Sequence, residues 1–114
     1  MKRTPLKRKP WRRSLGTAEQ RLRFKQAVLE ADGHRCVVRM FDCDGPLEAA
    51  HVIRKHTLRK RGYGAEVVYS VDAAFTLCRA HHQLHDSYAL RVPESLIPER
   101  CRRFAVQYGR GAAA

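Results

Sequence analysis

Leu47-Glu48-Ala49-Ala50-His51-Val52-Ile53 and, after a basic interval, Phe75-Thr76-Leu77-Cys78-Arg79-Ala80-His81-His82-Gln83-Leu84-His85 are the segments on which the fold turns. The first is short, apolar at its end and bounded by turn signals, as a strand is. It carries a histidine near its close. The second passes from apolar residues into helical spacing, expected to run from Arg79 to about Tyr88. There His81 and His85 fall at i, i+4, and His82 and His85 at i, i+3. Adjacent helical positions point about 100° apart, so His81 and His82 do not easily serve one site. That implies two sites, or one site and one core histidine.

Just upstream lie Cys36 and Cys43, with six residues between them and closed by the turn Asp44-Gly45-Pro46. The spacing is longer than a usual zinc knuckle and says little alone. Cys78-x-x-His81 supplies a second pair at the helix start, where both side chains can reach one ion. Structural zinc takes four such ligands in a tetrahedron. Cys36, Cys43, Cys78 and His81 are therefore expected to hold Zn2+ and to clip the N-terminal loop to the second strand and helix. A rival set exchanges His81 for Cys101. Against it, Ile97, Cys101, Phe104, Ala105 and Tyr108 fall on one helical face after Pro98, which makes Cys101 a core thiol. Two disulfides would suit a secreted chain, but cysteines among histidines in a reducing compartment read as metal ligands.

Further out, Thr17-Ala18-Glu19-Gln20 is a capping box, so a helix is expected from about Ala18, ended by Gly33. Phe24, Ala27, Val28 and Ala31 would form its buried stripe. Residues 54–64 carry Arg54, Lys55, Arg59, Lys60 and Arg61. Gly62 and Gly64 argue for a loop there, one that grips phosphates. Val67–Val71 is β-branched and aromatic, as a strand would be, with Asp72 at its end.

The 114 residues suit one domain, residues 17–109, between a flexible basic arm (1–16) and a frayed tail (110–114). A core this small is marginal, and a structural metal would support it. With 23 Lys and Arg against 11 Asp and Glu, the net charge of +12 favours a polyanionic partner: DNA, RNA or an anionic membrane surface, of which DNA is expected. In the arm, Lys7, Arg8, Lys9, Arg12 and Arg13 are placed to track phosphates, with Trp11 able to stack on a base. No run approaches the ~18 apolar residues of a membrane span. The N-terminus also lacks the apolar core of a secretion signal, so a cytoplasmic protein is expected.

His51, His82 and His85 remain without a structural task. Phosphodiester hydrolysis needs an activated water and a charge sink for the leaving oxygen. A neutral histidine supplies the base, and a divalent cation held by His82 with Asp72 or His85 supplies the sink. Together, LEAAHVI and DAAFTLCRAHHQLH resemble the HNH (His-Me finger) endonucleases over about residues 34–88. The arm is similar in composition to the N-termini of small phage and prophage HNH proteins. The resemblance implies an α+β fold: a ββα-metal core with a zinc-bound loop, an N-terminal helix and a C-terminal helix. It makes His51 the general base, His82 a ligand of the catalytic ion, and His81 the last member of the second zinc pair.

Two positions depart from that family. The residue before the base is often a metal-ligating Asp or His and is Ala50 here. The middle Asn falls near Ala73. Asp72 is the nearest oxygen donor, and either replaces the Asn or caps the turn. An ion held by few side chains and several waters suits Mg2+ or another divalent cation. The first expectation is a metal-dependent DNA endonuclease of low sequence specificity. The second is a catalytically inactive, zinc-stapled nucleic-acid-binding module. A third is a basic RNA-associated protein in which the CxxH is incidental.

Overall fold

The computed structural model describes residues 15–39 and 42–109. The arm residues Lys7, Arg8, Lys9, Trp11, Arg12 and Arg13, and the tail from Arg110, lie outside them. In chain order the elements are α1 (Ala18–Ala31), β1 (Leu47–His51), α2 (Lys55–Lys60), α3 (Ala65–Val68), β2 (Ala74–Cys78), α4 (Arg79–Asp86) and α5 (Glu99–Tyr108). Single 3-10 turns occupy Val71–Ala73 and Glu94–Leu96.

β1 and β2 form a two-stranded antiparallel ribbon, with Leu47 opposite Cys78 and His51 opposite Ala74. This register puts Cys78 and His51 at opposite ends of the ribbon. Because α4 begins directly after Cys78 and packs back along both strands, its first turn stays with the cysteines and its second approaches His51. Every residue of β2 is buried, since α1 and α4 both pack on it. The result is the expected α+β architecture: a ββα core with a cysteine-bearing loop before it and a helix on either flank.

The start of α1 is the capping box that Thr17 and Gln20 announce: the Gln20 N–H donates to Thr17 Oγ1 at 3.0 Å and the Thr17 N–H to Gln20 Oε1 at 2.9 Å. Its buried face is narrower than the expected stripe. Phe24 and Val28 are buried, but Ala27 and Ala31 are exposed. At its C-cap, the Asp32 carboxylate accepts from the Thr76 N–H and hydroxyl, both at 2.8 Å, and from Arg100.

Two local expectations fail. Residues 54–64 are not a loop: Lys55–Lys60 is helix α2. The two glycines follow this helix and so do not break it. Gly62, at φ +93°, occupies the left-handed position after the C-cap. The Tyr63 N–H reaches Leu58 O at 3.1 Å and the Gly62 N–H reaches Arg59 O at 3.0 Å, the paired bonds of a Schellman motif. Gly33, at φ +69°, ends α1 in the same way. Nor is Val67–Val71 a strand. Val68 ends α3 and is fully buried with Leu58, Ala73 and Phe104, so tertiary packing overrides the β preference of its side chain. The second strand is Ala74–Cys78. Helix α5 begins at Glu99, one residue after Pro98, and buries Cys101 and Phe104 as expected.

Candidate active site and metal centre

At the Cys78 end of the ribbon the four expected ligands converge. The Sγ atoms of Cys36, Cys43 and Cys78 and a nitrogen of His81 all lie within 4.8 Å of one another. His81 Nδ1 stands 3.5 Å from Cys36 Sγ, 3.5 Å from Cys43 Sγ and 3.1 Å from Cys78 Sγ. The edges of a zinc tetrahedron with sulfur and nitrogen ligands are about 3.6 Å, so the site fits zinc. His81 Nε2 lies 3.0 Å from Asp42 Oδ1. A carboxylate there holds the proton on Nε2 and leaves Nδ1 to face the three sulfur atoms. Backbone N–H groups of Cys78, Arg39 and Val38 point at Cys36 and, against the opposing effect of burial, hold its thiol below the usual range. Cys101 is elsewhere, fully buried, with its Sγ 3.1 Å from Ala74 O. Burial pushes its pKa up to about 12, and it does not join the four clustered donors.

At the other end, His51 sits mostly buried against the rings of Phe24 and Tyr69, whose centroids lie 5.1 and 6.4 Å away. Its Nε2 is 2.7 Å from the carbonyl oxygen of Val68. A carbonyl can only accept, so Nε2 carries the proton and the lone pair is on Nδ1. Val68 supplies that carbonyl because it ends a helix and has no N–H partner further along. Burial, reinforced by Lys55 and only partly offset by the Val68 carbonyl, lowers the His51 pKa to about 4. The imidazole is therefore neutral at physiological pH.

Helix α4 turns His82 toward β1. Its Nδ1 is 2.7 Å from Glu48 Oε1, and its Nε2 is 3.4 Å from Asp86 Oδ2, one helical turn on. Glu48 also takes the Arg79 Nε–H at 2.9 Å. Burial opposes its charge, yet the bonds to His82 and Arg79 prevail and keep it below the usual carboxylate range. His82 thus stands between two carboxylates, Glu48 on its Nδ1 side and Asp86 on its Nε2 side.

The remaining expected ion ligands are not gathered there. Asp72 lines a depression with Glu66, Ser70, Arg100 and Arg103, while His51 and His85 line another. Asp72 lies inside the 3-10 turn and does not cap it: the cap is Ser70, whose hydroxyl accepts the Asp72 N–H at 3.2 Å. His85 turns Nε2 toward His51 O at 3.5 Å and its ring toward Phe75, and burial lowers its pKa. Among the described residues, only the Cys36, Cys43, Cys78 and His81 group brings three or more such donors together. The basic segment is divided too. Arg61 donates to Tyr108 O at 2.6 Å and Gly109 O at 2.8 Å, closing the end of α5. Arg54 donates to His85 O at 3.0 Å. Lys55 and Lys60 are exposed on α2, and Arg59 is partly buried.

Glu48, Asp86 and Asp42 were not singled out from the sequence. Asp86 had a signal, since it lies at i, i+4 from His82. Glu48 had none, because its partner comes from an element 34 residues away. A family model described as HNH endonuclease matches residues 36–92. Searches of curated proteins and of solved structures give no match.

Proposed function

The chain belongs to the HNH endonuclease family, and from that premise we propose that it hydrolyses DNA phosphodiester bonds with a divalent cation and low sequence specificity, His51 acting as general base. One observation carries this: His51 is neutral, with Nε2 fixed on the Val68 carbonyl and the Nδ1 lone pair left to take a proton. Nδ1 accepts a proton from a water molecule whose oxygen forms a new bond to phosphorus. The bond from phosphorus to the leaving oxygen breaks, and that oxygen takes up a proton from solvent. A bound phosphate anion strengthens His51 as a base, opposing the burial and the Lys55 charge that weaken it. The cation would be held by His82 Nε2 and Asp86, with Glu48 orienting the ring and waters completing the shell, as suits Mg2+. When bound, it supplies positive charge to the phosphate and the departing oxygen. Zn2+ held by Cys36, Cys43, Cys78 and His81 is structural in this reading. Lys55, Arg59 and Lys60 meet the phosphates, and contacts of that kind position a strand without reading its bases.

The test is cleavage of supercoiled plasmid by the full chain at matched low salt, with and without Mg2+ or Mn2+, beside His51→Ala and Asp86→Asn. Wild type should nick or linearise only with added metal. His51→Ala should lose at least a hundredfold in rate, and Asp86→Asn should need a higher metal concentration for half-maximal cleavage. If all three are inert yet shift DNA in a gel, Ala50 has removed one ligand too many, and the chain is a zinc-stapled binding module.

A further inference from the structure

Helix α4 ends in the same Schellman motif as α1 and α2, but with tyrosine where they have glycine. The Ala89 N–H reaches Leu84 O at 2.9 Å, the Tyr88 N–H reaches His85 O at 3.2 Å, and Tyr88 has φ +65°. A side chain in that conformation is strained, and glycine is the usual occupant. Packing does not explain the exception, because Tyr88 is 78 % exposed. The guanidinium of Arg54 lies over the ring, 3.9 Å from its centroid, and is itself tied to His85 O and Asp86.

Tyr88 forms part of the wall of a depression of about 460 Å3 that also contains His51. Phe75, Leu90, Val92 and Ile97 make an apolar side to it, and Arg91 stands at the same site. A phosphate engaged by His51 carries a nucleotide on each side, within reach of this wall. Apolar side chains give a phosphate nothing, but they suit the face of a base. A base paired and stacked in a duplex cannot enter such a recess. An unpaired one can, stacking on the Tyr88–Arg54 pair.

We propose that this depression is a subsite for an unpaired DNA base next to the phosphate at His51, and that the chain engages single-stranded or locally unpaired DNA in preference to intact duplex. The subsite rests on the placement of DNA against His51, and its experiment is read without cleavage. Binding of a fluorescein-labelled oligothymidylate, and of a blunt duplex of equal length, is measured by anisotropy at one salt concentration with no Mg2+ added. A second single strand carries 2-aminopurine, whose emission stacking quenches. Wild type should bind the single strand more tightly than the duplex and quench the probe. Tyr88→Gly should lose about tenfold on the single strand and little on the duplex, while melting no lower than wild type because the left-handed strain is gone. Tyr88→Phe should retain wild-type binding. Duplex preference in wild type, or unchanged single-strand binding and quenching in Tyr88→Gly, overturns the subsite. Plasmid cleavage alongside an unaffected Tyr88→Gly sinks the subsite alone. Tyr88-dependent binding without any cleavage sinks the nuclease reading alone.

Discussion

His51 is enclosed by Phe24, Tyr69 and the end of α3, and that enclosure has a cost that pH exposes. In the unfolded chain its pKa is the ordinary 6.5, and in the folded chain about 4. Between those values the unfolded chain binds a proton that the folded chain does not, so stability falls as pH is lowered through the window. The contribution is fully present above about pH 6.5, and its loss levels off below about pH 4. It amounts to about 3 kcal/mol. An ion held by Cys36, Cys43, Cys78 and His81 would also be released in acid, so the comparison needs a control that shares that site. His51→Gln keeps an N–H for Val68 O and has no proton to gain. In urea unfolding with zinc present at pH 7.5 and 4.5, wild type should lose about 2–3 kcal/mol more than His51→Gln between the two conditions. Equal losses would mean that the imidazole is not held neutral. His51 could be picked out from its neighbours in the sequence, but its orientation could not. The carbonyl that fixes its tautomer belongs to Val68, which reads locally as strand.

Between elements, the decisive tie is Arg100 of α5 with Asp32 at the end of α1. Arg100 meets both Asp32 oxygens, at 2.8 and 3.2 Å, and donates to Val71 O and Ala74 O, each at 3.0 Å. Asp32 also takes both donors of Thr76 on β2. One ion pair thus fastens both flanking helices to the ribbon, in surroundings where the Asp32 side chain is 5 % and that of Arg100 17 % exposed. Burial opposes the charge of Arg100, but Asp32 prevails and its pKa is raised. Truncating one partner of such a pair leaves the other charge buried and uncompensated, at about 3–5 kcal/mol. Arg100→Met, which keeps much of the volume, should therefore lose about that much in urea unfolding with zinc bound. A loss below about 1 kcal/mol would show that water reaches Asp32 and relieves it. The sequence carries no sign of this tie. Its members are 68 residues apart and obey no period. The elements that could be read in advance, α1, β1, α4 and α5, are those whose signals are local: a capping box, a turn-bounded apolar run, histidines at helical spacing, a proline before an apolar face. Helix α2 and the burial of Val68 depend on partners brought from elsewhere, and periodicity does not register them.

For the whole molecule, the buried side chains among the described residues fall into three groups, bridged by the partly buried Val52 and Tyr69. One spans Cys36, the ribbon and Cys101; a second gathers Leu58, Val68, Ala73 and Phe104; a third sets Phe24 and Val28 against Ala74. Small groups of this kind leave a domain with little margin. Typical domains are stable by about 5–15 kcal/mol. Structural zinc in finger peptides supplies about 10–16 kcal/mol at neutral pH. A zinc ion at the four clustered donors would contribute as much as the whole, so apo protein should not hold this fold. The cluster also joins the loop before β1 to the β2–α4 junction, alongside the backbone bonds from Arg79 to Pro46 O and from Ala80 to Asp44 O. As purified, the chain should contain about one zinc per molecule. Stripping it with a chelator should abolish the cooperative thermal transition, and returning Zn2+ should restore it. Substituted Co2+ should give the absorption of a tetrahedral site with three thiolates and one imidazole. Cys78→Ser should lose the metal and the fold together. Cys101→Ala separates this set from the rival one: its thiol is protonated and bonded to Ala74 O, so the variant should lose some core stability yet keep one zinc and the same Co2+ spectrum. Loss of the metal in Cys101→Ala, with His81→Ala retaining it, would transfer the fourth ligand to α5 and detach His81 from the site.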